Sequence, residues 1–144
     1  MIVKKGLANF YFPSGKDQHY NEFEQAWQQC IENNINLCEK SEVVCSGCIE
    51  LKEFNYKDQK VVFHNQCDFS CDLTGWEIKD EGRKKFVFSE FILMKNEDVK
   101  IMVGEEQDNE DILYWGGETY VWTGTGDTLF LRDADGKLVL WDSY

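Results

Sequence analysis

From Cys48 onward the apolar residues of this chain recur at every second position in short runs, and each run ends in turn chemistry. Side chains on a strand alternate between its two faces, so this pattern marks strands with one buried and one wet side. Ile49 and Leu51 begin the first run, followed by Phe54 and Tyr56; Val61 and Phe63 lie in the second. Trp76 and Ile78 share one face of the third, with Thr74, Glu77 and Lys79 suited to water. Phe86 and Phe88, then Val99, Ile101 and Val103, then Leu129 and Leu131, and last Leu138 and Leu140 or their neighbours supply four more. Seven short strands predict a mostly β chain folded as a two-layer antiparallel sandwich. Asp135-Gly136 and Glu81-Gly82 are expected to supply the left-handed residue of tight hairpins. Pro13 is the only proline, so no ladder-breaking residue falls in the strand region.

Four motifs appear in order within that region: Leu73-Thr74-Gly75-Trp76, then Leu113-Tyr114-Trp115-Gly116-Gly117, then Gly126-Asp127-Thr128, then the Asp135-Gly136 hairpin closing on Tyr144. The succession resembles the lamin tail domain family over about residues 46–144. The resemblance implies an immunoglobulin-like β-sandwich, and it implies the connection with DNA or chromatin that the family often has. A fold does not assign a task by itself. A net charge of −12 over 144 residues opposes phosphate backbones, which are held by basic surfaces that displace counterions. A protein partner or self-association is therefore expected, and nucleic acid is disfavoured.

Residues 1–45 have a different character and are read as an arm packed on a sandwich of residues 46–144. Tyr20, Phe23, Trp27, Cys30 and Ile31 fall on one helical face, opposite a largely Glu and Gln face. Asp17 or Asn21 is placed to cap the start of this amphipathic helix, and Asn33-Asn34 to end it. The aromatic stripe is expected to dock on an open face or end of the sandwich. Ile2, Val3 and the Phe10-Tyr11-Phe12 run are expected to add a strand or wedge.

The cysteines carry the chemistry. Cys45 and Cys48 end the arm, and Cys67 and Cys71 precede the Leu-Thr-Gly-Trp motif, with 18 residues between the inner two. In an up-down strand pair the start of the first strand and the end of the second share one end, so the two pairs should converge. Two close Cys pairs separated by a hairpin have zinc-site spacing, and four thiolates suit a closed tetrahedral structural site. The metal expectation is thus zinc on Cys45, Cys48, Cys67 and Cys71, with Cys38 an alternative ligand and Cys30 a core residue. Three other readings stand beside it: two disulfides in an oxidising compartment, a thiol redox protein or enzyme using Cys45 and Cys48, or four buried free thiols.

Other features point away from catalysis. His19 and His64 have no nucleophile at a spacing that pairs with them, and Gly116-Gly117 and Gly124-x-Gly126 precede no helix that would bind phosphate. The Asp133-Ala134-Asp135-Gly136 run lacks the later Glu of a calcium loop and reads as a hairpin. The acidic stretch 104–111 reads as a solvated loop. Arg83, Lys84 and Lys85 form a basic corner that, with Trp115 and Trp122 in glycine-rich loops if these are exposed, makes the candidate interaction surface; core packing is the other reading of both tryptophans. The start of the chain shows no apolar signal core and no stretch reaches membrane-spanning length, which gives a cytoplasmic expectation and favours metal over disulfide.

Overall fold

The computed structural model describes residues 20–144. The expected N-terminal strand or wedge at Ile2, Val3 and Phe10-Tyr11-Phe12, together with Asp17 and His19, lies outside the described residues, as do the side chains of Tyr20, Asn21 and Phe23. One helix, α1 (Tyr20–Asn33), is followed by ten strands: β1 (Ile49–Asn55), β2 (Lys60–Asn65), β3 (Cys71–Asp72), β4 (Glu77–Lys79), β5 (Lys85–Val87), β6 (Ile92–Leu93), β7 (Asp98–Val103), β8 (Ile112–Trp115), β9 (Thr128–Arg132) and β10 (Leu138–Ser143). One sheet has the order β1-β2-β7-β8 and the other β10-β9-β4-β5, with β3 and β6 forming a small separate ladder. This is the expected immunoglobulin-like sandwich.

The inward faces follow the period-two reading. Val61, Phe63, Val99 and Ile101 from one sheet meet Trp76, Ile78, Leu129 and Leu131 from the other, all buried. Three strands, β3, β6 and β8, have no counterpart among the seven runs; β3 and β6 have two residues each, too few to show a period. The β7–β8 pair is parallel, unlike the rest of its sheet. Loop 104–111 carries the chain back along β8 to make this possible. The hairpin after β4 also differs from expectation: Gly82 is not among the positive-φ glycines. Asp80 shapes that turn instead, accepting the Gly82 and Lys84 N–H groups at 3.0 Å each. Gly136 does take the left-handed conformation, at φ 80°, and Asp133 ties the hairpin by accepting the Asp135 and Lys137 N–H groups.

β9 is buried at all five positions, so its sheet is covered on both sides. Leu129 and Leu131 face the sandwich core, while Phe130 faces α1. There Trp27 meets Phe130 and Trp141 edge-on at 5.3 and 6.4 Å, with Ala26, Cys30, Ile31 and Leu138 filling the same cluster. A register shift between Leu138 and Leu140 turns Leu138 toward the helix and Leu140 toward the main core, so simple alternation fails on β10. The helix ends where the asparagines predicted: Asn34 is left-handed at φ 54°, and its side chain accepts the Lys40 N–H at 2.6 Å. The segment after it then joins the edge of β10 through a parallel bridge between Lys40 and Leu138.

Candidate functional site

The four central cysteines converge, as the up-down geometry of β1 and β2 required. Ile49 pairs with Asn65, so Cys48 and Cys67 flank the same end of that hairpin. Asn65, fully buried, organises the rest: its amide nitrogen donates to the Phe69, Leu93 and Met94 carbonyls and its oxygen accepts the Cys67 N–H. That single side chain holds the 66–70 loop against β6 and delivers Cys71 to its place opposite Leu93. Nothing in the spacing of one asparagine in a strand pointed to this role. The sulfurs of Cys45, Cys48 and Cys71 lie within 4.8 Å of one another.

The bonding differs from the zinc expectation. Cys45 is joined to Cys71 and Cys48 to Cys67, with Cα separations of 5.8 and 5.2 Å, and Cys30 is joined to Cys38 at 5.7 Å. Cys30 is therefore more than core filling, and Cys38 belongs to the helix cluster rather than to the four-cysteine group. Cys45 and Cys48 do not form a C-x-x-C disulfide with each other; each reaches across to the other pair.

The candidate interaction residues divide. Trp115 and Trp122 are only 4% and 2% exposed and meet edge-on at 5.8 Å inside the sandwich. That corrects their assignment as surface anchors: Trp115 lies on β8 rather than in a loop, and adjacent glycines bend the chain around buried rings. Arg83 and Lys85 are exposed at the start of β5. Lys84 is held in place, donating to the Tyr120 carbonyl at 2.7 Å with its ammonium 3.9 Å above the Tyr120 ring. His64 is engaged in a surface pair, its Nδ1 2.6 Å from Asp98 Oδ1, and Lys52 reaches the same carboxylate at 2.5 Å. The Lys52 ammonium and the His64 ring hold the Asp98 carboxyl below the usual range.

The turn inside the Leu-Thr-Gly-Trp motif is formed by Gly75 at φ 82°, whose N–H donates to the Phe88 carbonyl, while the Trp76 N–H donates to Leu73. A Cβ on Gly75 would stand 3.2 Å from the Ala134 side chain, so the motif packs directly on the Asp133 to Gly136 hairpin. A family model described as Lamin Tail Domain matches residues 39–144. The chain belongs to the lamin tail domain family. No curated protein matches it.

The two four-stranded sheets leave four outer strand edges, and these are not equivalent. The edge of β10 is covered by the arm at Leu138, where Ser41 N–H donates to Leu138 and Leu138 N–H to Glu39, each at 2.8 Å, and a register shift between Leu138 and Leu140 breaks the strand beyond that point. The edge of β8 is capped by its own acidic loop. Asn109 Oδ1 accepts the Ile112 N–H, Asp108 Oδ1 accepts the Tyr114 N–H, and Asn109 N–H donates to Ile112. The edge of β1 is broken by a register shift between Leu51 and Glu53 and carries Glu50 and Lys52. Among the described residues, β5 alone keeps a regular outer edge without a covering segment or a register shift. Asp80 N–H donates to Lys84 and Phe88 N–H to Trp76, which turns Lys84, Phe86 and Phe88 toward β4 and leaves the backbone of Lys85 and Val87 pointing away.

At the turn that leads into β5 lies a groove of about 960 Å3, lined by no residue of β5 itself, whose walls set Glu77, Asp80, Glu81 and Asp127 beside Lys79, Arg83, Lys84 and Arg132. Arg132 is 4% exposed and donates through Nη1 to the Leu37 carbonyl at 2.7 Å, while its Nη2 has no partner among the described residues. Asp127 also contributes, buried at 4% exposure and accepting the Glu81, Thr123 and Thr128 N–H groups. Burial pushes its carboxyl up to about 6, against the pull of those donors, and nearby Asp80 adds to the rise. No helix among the described residues is long and apolar enough to cross a membrane.

Proposed function

We propose that this lamin tail domain is a non-catalytic interaction module that takes an extended segment of a protein partner as an added strand on β5. The observation that carries this reading is the inequality of the four edges: three are covered, capped or broken, and the fourth offers unpaired backbone beside a groove. Added strands gain affinity from main-chain hydrogen bonds and specificity from flanking pockets. The groove wall is of mixed charge, but the exposed cations gather at the edge, where Lys85 lies 3.8 Å from Glu77. Arg83 and Lys85 stand at the edge, and a buried guanidinium with a free Nη2 lies in the groove wall, so the partner segment carries a carboxylate. The basic corner stands out on a chain of net charge −12, which favours such a partner over a second copy and over nucleic acid.

The test uses peptides selected from a displayed random library against the intact, disulfide-bonded chain. Selected peptides should be enriched in Asp and Glu, and should slow amide exchange at Lys85 and Val87. Val87→Pro removes one outward donor on an edge strand, where proline is tolerated, and should abolish binding without loss of fold. Peptides that instead protect β1 or β8, or a mass that doubles with concentration through the β5 edge, would overturn the reading.

A further inference from the structure

We propose that Cys45, Cys48, Cys67 and Cys71 form a thiol-gated zinc site, in which a dithiol reductant opens both disulfides and the four freed thiolates bind one zinc ion. The inference is independent of the β5 edge. Its first support is that main-chain and amide bonds gather the sulfurs separately from the sulfur bonds themselves. The Ile49 and Asn65 register, the Gln66 N–H on the Cys48 carbonyl at 2.9 Å, and the four bonds of Asn65 involve no sulfur atom.

The second support is spacing. A tetrahedral zinc site with bonds of about 2.3 Å sets its sulfurs about 3.8 Å apart. Three of the four sulfurs already lie within 4.8 Å of one another, and the fourth is bonded to one of those three. The Cys67 sulfur lies outside that 4.8 Å group, so metal binding requires its side chain to turn inward from the half-buried loop while the other three draw together. Four thiolates with no carboxylate or imidazole among them are a soft donor set that suits zinc.

The third is access. Cys45 and Cys67 are half-buried while Cys48 and Cys71 are buried, so each disulfide offers one sulfur to an attacking thiolate. One thiolate of the dithiol attacks Cys67, forming a mixed disulfide and releasing the Cys48 thiolate. Its second thiol then displaces Cys67 and closes the reductant into its own disulfide. The same two steps at Cys45 release Cys71. Two dithiols are oxidised and four protein thiols are produced, and binding one zinc ion then releases four protons. The site changes from neutral disulfides to a complex of charge −2. Cys30 and Cys38 are both 0% exposed beneath α1, which closes their disulfide to the same reagent in the folded chain.

The experiment treats the full chain with excess dithiothreitol without oxygen, removes the reductant, and adds zinc or cobalt. One metal per chain is expected, with cobalt giving thiolate charge-transfer and tetrahedral d–d bands. Amides of β1 and β2 should stay protected in the zinc form and lose protection on chelation. Cys67→Ser combined with Cys71→Ser should lose the stoichiometric metal. No metal uptake after reduction, uptake unchanged in that double variant, or uptake with β1 and β2 unprotected would each overturn the proposal.

Discussion

The two ends of the sandwich are closed by different means. At the end holding the starts of β1 and β3, the closure is covalent: two disulfides tie the arm to the loop after β2, with Asn65 arranging the backbone around them. At the opposite end, side chains close the structure by bonding to backbone. Gln59 Oε1 accepts the Val121 and Trp122 N–H groups, and its Nε2 donates to the Tyr56 and Trp122 carbonyls. Asp127 gathers three N–H groups, and Tyr144 donates to the Thr123 carbonyl while stacking on Tyr56. One end therefore answers to redox conditions and the other to pH. The comparison also separates a bond that survives denaturant from bonds that must re-form each time the chain folds.

The largest expected effect is at the covalent end. Closing the 19-residue separation between Cys48 and Cys67 limits the unfolded chain by about 3 kcal/mol, and the Cys45 to Cys71 bond closes a smaller ring around it worth about 2 kcal/mol more. Replacing all four cysteines with serine should thus lower stability by about 5 kcal/mol in urea unfolding. A loss below about 2 kcal/mol would mean that Asn65 and the strand register alone hold that end. At the polar end, Gln59→Ala should cost about 2 kcal/mol, because it strands two N–H groups beside the core. Amide exchange should then accelerate at Val121 and Trp122 while Asn65 and Cys67 keep their protection.

A pH titration sharpens the contrast further. The Asp127 carboxyl sits at about 6 in the folded chain, above its ordinary value of 3.8, so the folded state binds more protons between those limits. Its contribution is fully present below the unfolded value and is lost as pH rises through about 6. Stability should therefore fall from pH 4 to pH 7 by about 1 to 2 kcal/mol from this group, after allowance for solvent screening. Denaturation midpoints across that range should show the slope, and Asp127→Asn should flatten it. Asp80 is raised by burial too and acts in the same direction.

Legibility in the sequence follows the same division. The sandwich was readable because Val61, Phe63, Val99 and Ile101 alternate over runs long enough to show a period, and the cysteine convergence was readable because an up-down pair must bring Cys48 and Cys67 together. The pairing into disulfides was not, since the same four positions suit zinc equally well. Trp115 and Trp122 stood open between surface anchor and core because glycine neighbours signal a bend without saying which side of the bend is buried. Gln59 gave no signal, and Asp127 stood only within the Gly126-Asp127-Thr128 motif, which says nothing of the groups it bonds. Each acts through backbone groups about 60 or fewer residues away in sequence, and backbone groups are the same at every position.

The smallest effect tests whether the polar end behaves as a unit. Tyr144→Phe keeps the ring contacts to Phe54 and Tyr56, at 5.0 and 5.3 Å, and removes only the O–H donated to the Thr123 carbonyl. A cost of about 1 kcal/mol is expected. Thr123 neighbours Trp122, whose carbonyl accepts from Gln59, so the two substitutions act on adjacent peptide groups of one loop. If Gln59 already loosens that loop when truncated, the Tyr144 hydroxyl has less left to hold. The Gln59→Ala and Tyr144→Phe pair should then fall short of additivity by about 0.5 kcal/mol or more in urea unfolding, whereas Tyr144→Phe should add fully to the cysteine replacements at the far end. Strict additivity at the polar end would show that its bonds act one by one and that only the covalent end is a cooperative closure.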